Sequence, residues 1–396
     1  MNVLLPRRRG RLTRWFAWDM LTVVLRIFWA CLIVWVEIGV FFYSLSGCRW
    51  PDAVLENNPV HTKQSSSSRP THVLLLADVK VVPPSNGRHS ISRLLDDVYL
   101  RKAWSAVSRF RPQVVVFLGD MLSSGNMIDD DSDFVQYVNR FHELFTLEPG
   151  VTTYYVPGNT DIGLGVSSEF TRHVRDRYRS YFGPLNREVR IANHSLIILD
   201  APGLVDEDYV RAAQSISFDT WTPIRHGAIE FVKQTSNALQ KRHADGASSE
   251  PVILLTHIPL HRAETKKCGP MREKGSIRRG AGKAGWQATL GKDTSQFLLD
   301  HLQPKAVFSG DDRDYCDITH TLLAKGNEVR EITLKSFSPS RHIARPGFQL
   351  LSLMPDAVRP SHTSALCLLP PAGTPVRRIY MPLLALQVIF FLITNI

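Results

Sequence analysis

Six short apolar runs, each closing on a residue that can bind a cation or turn the chain, constrain this sequence more than any other feature. They are HVLLLAD (72–78), VVVFLGD (114–120), TTYYVPGN (152–159), SLIILD (195–200), PVILLTH (251–257) and KAVFSGDD (305–312). Uninterrupted apolar runs of this length suit strands covered on both faces, and helical stretches between several of them, such as 91–110, suit strand–helix–strand units. An α/β layered fold follows. In open α/β sheets the functional groups collect just beyond the carboxyl ends of the strands, where Asp78, Asp120, Asn159, His257 and Asp311 all fall. For any one of them a turn residue is the ordinary explanation. Five in such positions point to a shared site, whose oxygen and imidazole donors suit Mn²⁺, Fe²⁺ or Zn²⁺ and the polarisation of a phosphoryl oxygen.

The ends of the chain read differently from its middle. Of the net charge of +10, five units come from Arg7, Arg8, Arg9, Arg11 and Arg14, so the basic excess is largely a terminal feature. Behind these arginines, Ile27–Leu45 is apolar enough to span the roughly 30 Å of a bilayer core. A transmembrane helix is expected over 20–45. A cleaved signal peptide is the competing reading, but the run is long and is followed by Cys48, Arg49 and Trp50, not by a small-residue cleavage site. The positive-inside rule then leaves residues 1–19 as a cytosolic basic tail and sends the following domain into the lumen. Glu37 interrupts the run; a protein or water partner and simple toleration are both open. A second apolar stretch, Ile379–Ile396, is expected to span again, although Pro382 and Gln387 lie within it.

Residues 46–70, with three prolines and the run Ser65–Ser68, read as a linker. The folded domain is expected over 71–355, followed by a second linker over 356–378. At 44% hydrophobic and 21% charged residues, disorder is not the default. The five cysteines show no zinc spacing. Asn193-His194-Ser195 is a glycosylation sequon. The glycine-rich stretch 266–283 carries Lys266, Lys267, Arg272, Lys274, Arg278, Arg279 and Lys283. It suits either a solvated loop or the gathering of an anionic head group, with Arg272, Arg278 and Arg279 as candidate substrate contacts. No aromatic-interleaved basic motif supports a nucleic-acid partner.

The order Asp78, Gly119-Asp120, Gly158-Asn159-Thr160-Asp161, Thr256-His257 and Gly310-Asp311-Asp312-Arg313 resembles the five signature blocks of the calcineurin-like metallophosphoesterases. The longer blocks at 268–290, 308–320, 334–338 and 345–353 look like the fungal endoplasmic-reticulum branch. That branch is implicated in trimming ethanolamine phosphate from GPI anchors and in ER-to-Golgi transport of GPI-anchored proteins. The resemblance implies a four-layer α/β/β/α sandwich, a bilayer and a GPI glycan as partners, and a divalent cofactor, Mn²⁺ first. It implies two metals bridged by Asp120. One would be held by Asp120, Asn159, His257 and Asp311, and the other by Asp78, Asp120 and two further groups.

The sequence departs at both of those groups and at one position beside them. Lys80 replaces the usual His or Gln, Thr160 the histidine that assists the leaving group, and Arg313 a liganding His. Protonated Lys and Arg offer no lone pair, so only one ion keeps a full ligand set. Asp161, Lys80 and Arg313 remain as catalytic candidates, the two cations able to substitute for the missing dication's charge. Cys268 and Cys316, which belong to the branch-specific blocks, are expected to pair beside the pocket, within about 7 Å Cα to Cα.

Overall fold

The computed structural model describes residues 9–52, 69–83, 91–164, 172–245, 250–277, 287–322, 326, 328–355, 361–371 and 376–394. It divides into two compact units, Met1–Ser46 with Gly373–Ile396, and Gly47–Ala372. The first unit opens with α1 (Arg9–Val34), a π-helical turn (Trp35–Gly39) and α2 (Val40–Ser44).

The second unit contains β1 (Thr71–Leu76), α3 (Ile91–Val107), β2 (Val114–Leu118), α4 (Asp131–Leu144), β3 (Thr152–Val156), α5 (Asn159–Ile162), α6 (Arg172–Phe182), β4 (Arg187–Ile191) and β5 (His194–Leu199). It continues through α7 (Ala201–Ala213), α8 (Ala228–Ala244), β6 (Val252–Thr256), α9 (Lys292–Leu302), β7 (Ala306–Ser309), β8 (Cys316–Thr321), β9 (Glu328–Thr333), β10 (Gly347–Leu353) and β11 (His362–Leu368). All six apolar runs are strands.

They form two sheets, ordered β11-β10-β1-β2-β3 and β4-β5-β6-β7-β9-β8. Within them β1, β2 and β3 run parallel, as do β5, β6, β7 and β9. Side chains alternate across each strand. Val73, Leu75, Val116, Ile253, Leu255 and Leu351 meet in one buried cluster between the sheets. On the outer face of the second sheet, Leu254 and Val307 pack with Leu204, Val232 and Leu298 of α7, α8 and α9. On the outer face of the first, Phe117 meets Phe141 of α4 at 5.1 Å and Tyr155 at 5.5 Å between ring centroids. The result is the expected four-layer sandwich, with the parallel strands delivering their carboxyl ends to one rim.

Both linker boundaries need correction. Residues 47–52, expected as tether, belong to the folded unit. Cys48 is disulfide-bonded to Cys367, a pairing not expected from the sequence, and the Trp50 ring stacks on His72 at 4.1 Å. Asp52 is buried against His72 and Ser352. The 356–378 segment holds β11, antiparallel to β10. Residues 356–360 and 372–375 lie outside those described, as do 53–68 of the first linker.

In the first unit, Met20–Leu45 is the one helix among the described residues long and apolar enough to cross a membrane. The apolar C-terminal helix Arg378–Thr394, which contains α10 (Met381–Thr394), is shorter. Glu37 sits in the π-helical turn and accepts a hydrogen bond from the Tyr380 hydroxyl at 2.7 Å. The Trp29 indole donates to Gln387 Oε1 at 2.5 Å. Both polar interruptions of the apolar segments therefore have protein partners, which offsets the cost of polar groups in an apolar setting.

Candidate metal centre

The rim of the sandwich is built from backbone that ordinary residues avoid. Asp78, Lys80, Asp120, Asp311 and Arg313 all have positive φ, between 43° and 67°. Non-glycine residues in this region carry strain that the surroundings must override, and such residues concentrate at functional sites. Here the loops brace each other: Asp78 N–H donates to Gly119 O, Lys80 N–H to Asp120 O, and Gly310 N–H to His257 O, at 3.2, 2.9 and 2.8 Å. Two glycines allow the close approach. A Cβ on Gly119 (φ +84°) would lie 2.3 Å from His257 Nδ1, and one on Gly158 would lie 2.4 Å from Asp120 Oδ1.

His257 fixes the centre. Its Nδ1 lies 2.7 Å from the Leu118 carbonyl and donates to it, so in the neutral ring the Nε2 lone pair faces inward. Around Nε2 stand Asn159 Oδ1 at 3.1 Å, Asp120 Oδ1 at 3.3 Å and Asp311 Oδ1 at 3.6 Å. All four are lone-pair donors turned toward one another in a buried space, the arrangement a divalent ion requires. Asp78, Asp120 and His257 likewise offer ligand atoms within 4.8 Å of one another. These residues fit an ion. Thr160 N–H donates to Asp120 Oδ1 at 3.0 Å, and Asp311 N–H donates to Asp78 Oδ2 at 3.0 Å, holding both carboxylates in place.

The electrostatics agree. Burial opposes the imidazolium of His257, yet Asp120 and Asp311 hold its pKa well above the ordinary value. Burial also opposes ionisation of Asp120, but Lys80 and His257 hold it well below the usual carboxylate range. Burial pushes Asp78 up to about 6, partly offset by Lys80. With His257 neutral, as a ligand must be, Asp78, Asp120 and Asp311 outnumber Lys80, and a bound cation takes the place of the imidazole proton.

On the far side of Asp120 the donor set fails. Lys80 Nζ lies 2.6 Å from Asp120 Oδ2 and 3.7 Å from Asp78 Oδ1, between the two carboxylates available to a second ion. Arg313 stands beside a cleft of about 190 Å³ that Lys80, Ser338, Arg341 and His342 also line. Among the described residues it forms no ion pair with Asp78 or Asp120, so of the two candidate cations only Lys80 stands between the carboxylates. Arg341 and His342 carried no sequence signal of their own, because isolated cations in a loop are common.

Other expectations need correction. Asp161, expected to be catalytic, is buried and accepts backbone N–H groups from Leu122 (2.8 Å), Gly158 (3.0 Å) and Met121 (3.3 Å). Burial pushes its carboxyl up to about 7. It staples the β2 and β3 loops together. The Thr160 hydroxyl donates to Leu122 O at 2.7 Å and is likewise committed. Arg272, expected to contact substrate, pairs with Asp312 at 2.5 Å and donates to the Lys274 and Gly275 carbonyls. Arg278 and Arg279 lie outside the described residues. Asn193 sits exposed in the β4–β5 turn, its side-chain amide donating to Pro355 O at 2.7 Å. Cys268 and Cys316 form a disulfide with Cα atoms 4.3 Å apart, packed with Ile277, Ala288 and Ile318.

Cell division control protein 1 of Saccharomyces cerevisiae is 31% identical over 350 residues, covering 85% of this chain; the chain spans 64% of that protein's length. The Metallophosphoesterase 1 homolog of Drosophila melanogaster is 26% identical over 340 residues, 82% of each chain. A dimetal phosphatase from Danio rerio aligns over 76% of this chain and all of its own, with a TM-score of 0.45 and 16% identity. Residues 71–313 match the calcineurin-like phosphoesterase family, whose members bind divalent metals, and the chain belongs to that family.

Proposed function

We propose that this chain is a membrane-anchored phosphoesterase of the ER whose centre holds one divalent ion and acts on the ethanolamine phosphate of a GPI glycan. The observation that carries the reading is the convergence of Asp120, Asn159, His257 and Asp311 on one point. The apolar Met20–Leu45 helix behind a basic tail supports an anchor. Two disulfides support an oxidising compartment. The family resemblance supplies the glycan, and the name of the Drosophila relative, Metallophosphoesterase 1 homolog, supports the ester chemistry.

When bound, a divalent ion supplies Lewis-acid polarisation of a phosphoryl oxygen and acidifies water. The chain's own residues do the rest. Leu118 O keeps His257 in one tautomer, Thr160 N–H orients Asp120, and the Asp311 N–H orients Asp78. Lys80 and Arg313 offer charge to phosphoryl oxygens as negative charge develops there. No side chain in the Thr160 position protonates the leaving group, since its hydroxyl is donated to Leu122 O. That same hydrogen bond favours a second reading, in which the pocket binds GPI-anchored cargo without turnover.

The test is metal content of the purified full-length protein in detergent together with hydrolysis of bis(p-nitrophenyl) phosphate. About one tightly held Mn²⁺ per chain and slow turnover, both lost in His257→Ala, are expected. Metal without turnover selects the binding reading. No metal at all refutes both the ligand set and the hydrolytic reading.

A further inference from the structure

The donor set beyond Asp120 does not fit a second ion, and the misfit is itself ordered. Lys80 Nζ occupies the space between Asp120 Oδ2 and Asp78 Oδ1, at 2.6 and 3.7 Å. Its backbone is held in a left-handed turn (φ +43°) by the hydrogen bond from its own N–H to Asp120 O, so the side chain is aimed by the loop and not by chance. An ammonium has no lone pair to give a metal, and it brings a positive charge to the position a dication would occupy. It therefore excludes an ion and partly replaces its charge. Asp78 Oδ1 is fully buried with no hydrogen-bond partner, the residue of a ligand position that lysine fills electrostatically but not by bonding.

One step outward the charge balance reverses. Arg313, Arg341 and His342 line the adjoining cleft with Lys80 and Ser338, and among the described residues no carboxylate pairs with Arg313 or Arg341. A cleft of about 190 Å³ bounded by a hydroxyl and by guanidinium groups with no carboxylate partner among the described residues suits a tetrahedral oxyanion, because planar guanidinium forks match its oxygens.

We propose that the Lys80 ammonium takes the place of a second divalent ion, so that the centre holds one ion and presents, in the cleft lined by Arg313 and Arg341, a subsite for the non-esterified oxygens of a phosphate group. The proposal rests on the reading that Asp120, Asn159, His257 and Asp311 hold an ion, but its second half does not require that ion.

The test uses the full-length protein in detergent with two probes, Mn²⁺ and inorganic phosphate. Titration with Mn²⁺ followed by electron paramagnetic resonance should give one ion per chain and an uncoupled signal. The double variant Lys80→Gln/Arg313→His should take up a second ion and show the exchange-coupled signal of a pair. Phosphate binding to the metal-free protein, followed by calorimetry, should weaken about tenfold or more in Lys80→Gln and in Arg341→Gln, each of which removes one charge-assisted contact. A second, coupled ion in the unmodified protein overturns the inference, as does phosphate affinity unchanged in both single variants. Absence of any ion, with phosphate binding still sensitive to Lys80 and Arg341, refutes the metal reading and sustains the subsite. The unmodified protein supplies the ion count, so a double variant that fails to fold leaves the decision intact.

Discussion

Replacing Glu331 with leucine is expected to destabilise the domain more than any surface change, and the structure sets the size of the effect. Glu331 is fully buried on β9. Its Oε2 lies 2.8 Å from Arg262 Nη2 and 2.6 Å from His320 Nε2, while Oε1 accepts from Ser309 Oγ at 2.8 Å and Leu260 N–H at 3.0 Å. Burial opposes its ionisation, but Arg262 and His320 hold its pKa below the usual range. Glu331→Leu strands the buried Arg262 charge, which costs about 3–5 kcal/mol. Arg262→Met/Glu331→Leu removes both charges and should recover most of the loss. A deficit of about 1–3 kcal/mol should remain, from Leu260 N–H and Ser309 without an acceptor. Urea denaturation of the detergent-solubilised protein, followed by circular dichroism, reads both values. The pH dependence has a definite sign. A carboxylate whose folded pKa is depressed stabilises fully above its unfolded value of about 4.5, and the contribution is lost as the pH falls through the folded value. The gap between wild type and Glu331→Leu should therefore narrow in acid. A single variant losing under about 1 kcal/mol, or a double variant no better than the single, would refute the assignment of a stranded charge.

Two further expectations follow from the site. Gly119→Ala places a Cβ 2.3 Å from His257 Nδ1 at φ +84°, so it should displace the imidazole and abolish tight Mn²⁺ retention, measured by metal analysis of the folded variant. Loss of the Cys268–Cys316 bond, which closes a separation of 48 residues, should cost about 2–4 kcal/mol. Non-reducing peptide maps should recover this pair and Cys48–Cys367, and free thiols at these positions would contradict both the pairing and the oxidising compartment.

The sequence was most legible where strands are covered on both faces. β1, β2, β5, β6 and β7 are buried throughout or nearly so, and their apolar runs announced them. Three of the strands not read as runs, β4, β8 and β11, lie at sheet edges, and the first two alternate buried with exposed residues. These edge strands keep polar residues such as Arg187, Asp317 and His362 that interrupt an apolar run, whereas β3, the remaining edge, keeps one through Tyr154, Tyr155 and Val156. The linker errors have the same origin, since 47–52 and β11 join the core through one disulfide, one stacked ring and one edge. At the site, donor identity was visible in Asp120, Asn159, His257 and Asp311. The roles of Asp161 and Arg272 were not, because whether a charged side chain faces a cleft or staples a loop depends on the backbone groups it meets.

The departures from the family pattern share one physical logic. Removing a dication from between Asp78 and Asp120 would leave two buried carboxylates facing each other with nothing between them, a fault the fold could not carry. Lys80 supplies a cation tethered to the same loop, and its 2.6 Å contact with Asp120 keeps that carboxylate ionised. Asp161 holds the loop that presents Asn159, and its three backbone hydrogen bonds are indifferent to how many metals are present. Fold integrity and metal number are thereby separated. On the proposed reading, the sandwich and the ion site rest on Asp161, Gly119 and His257, whereas a second Lewis acid and a proton donor for the leaving group would need side chains other than Lys80, Arg313 and Thr160 at those positions.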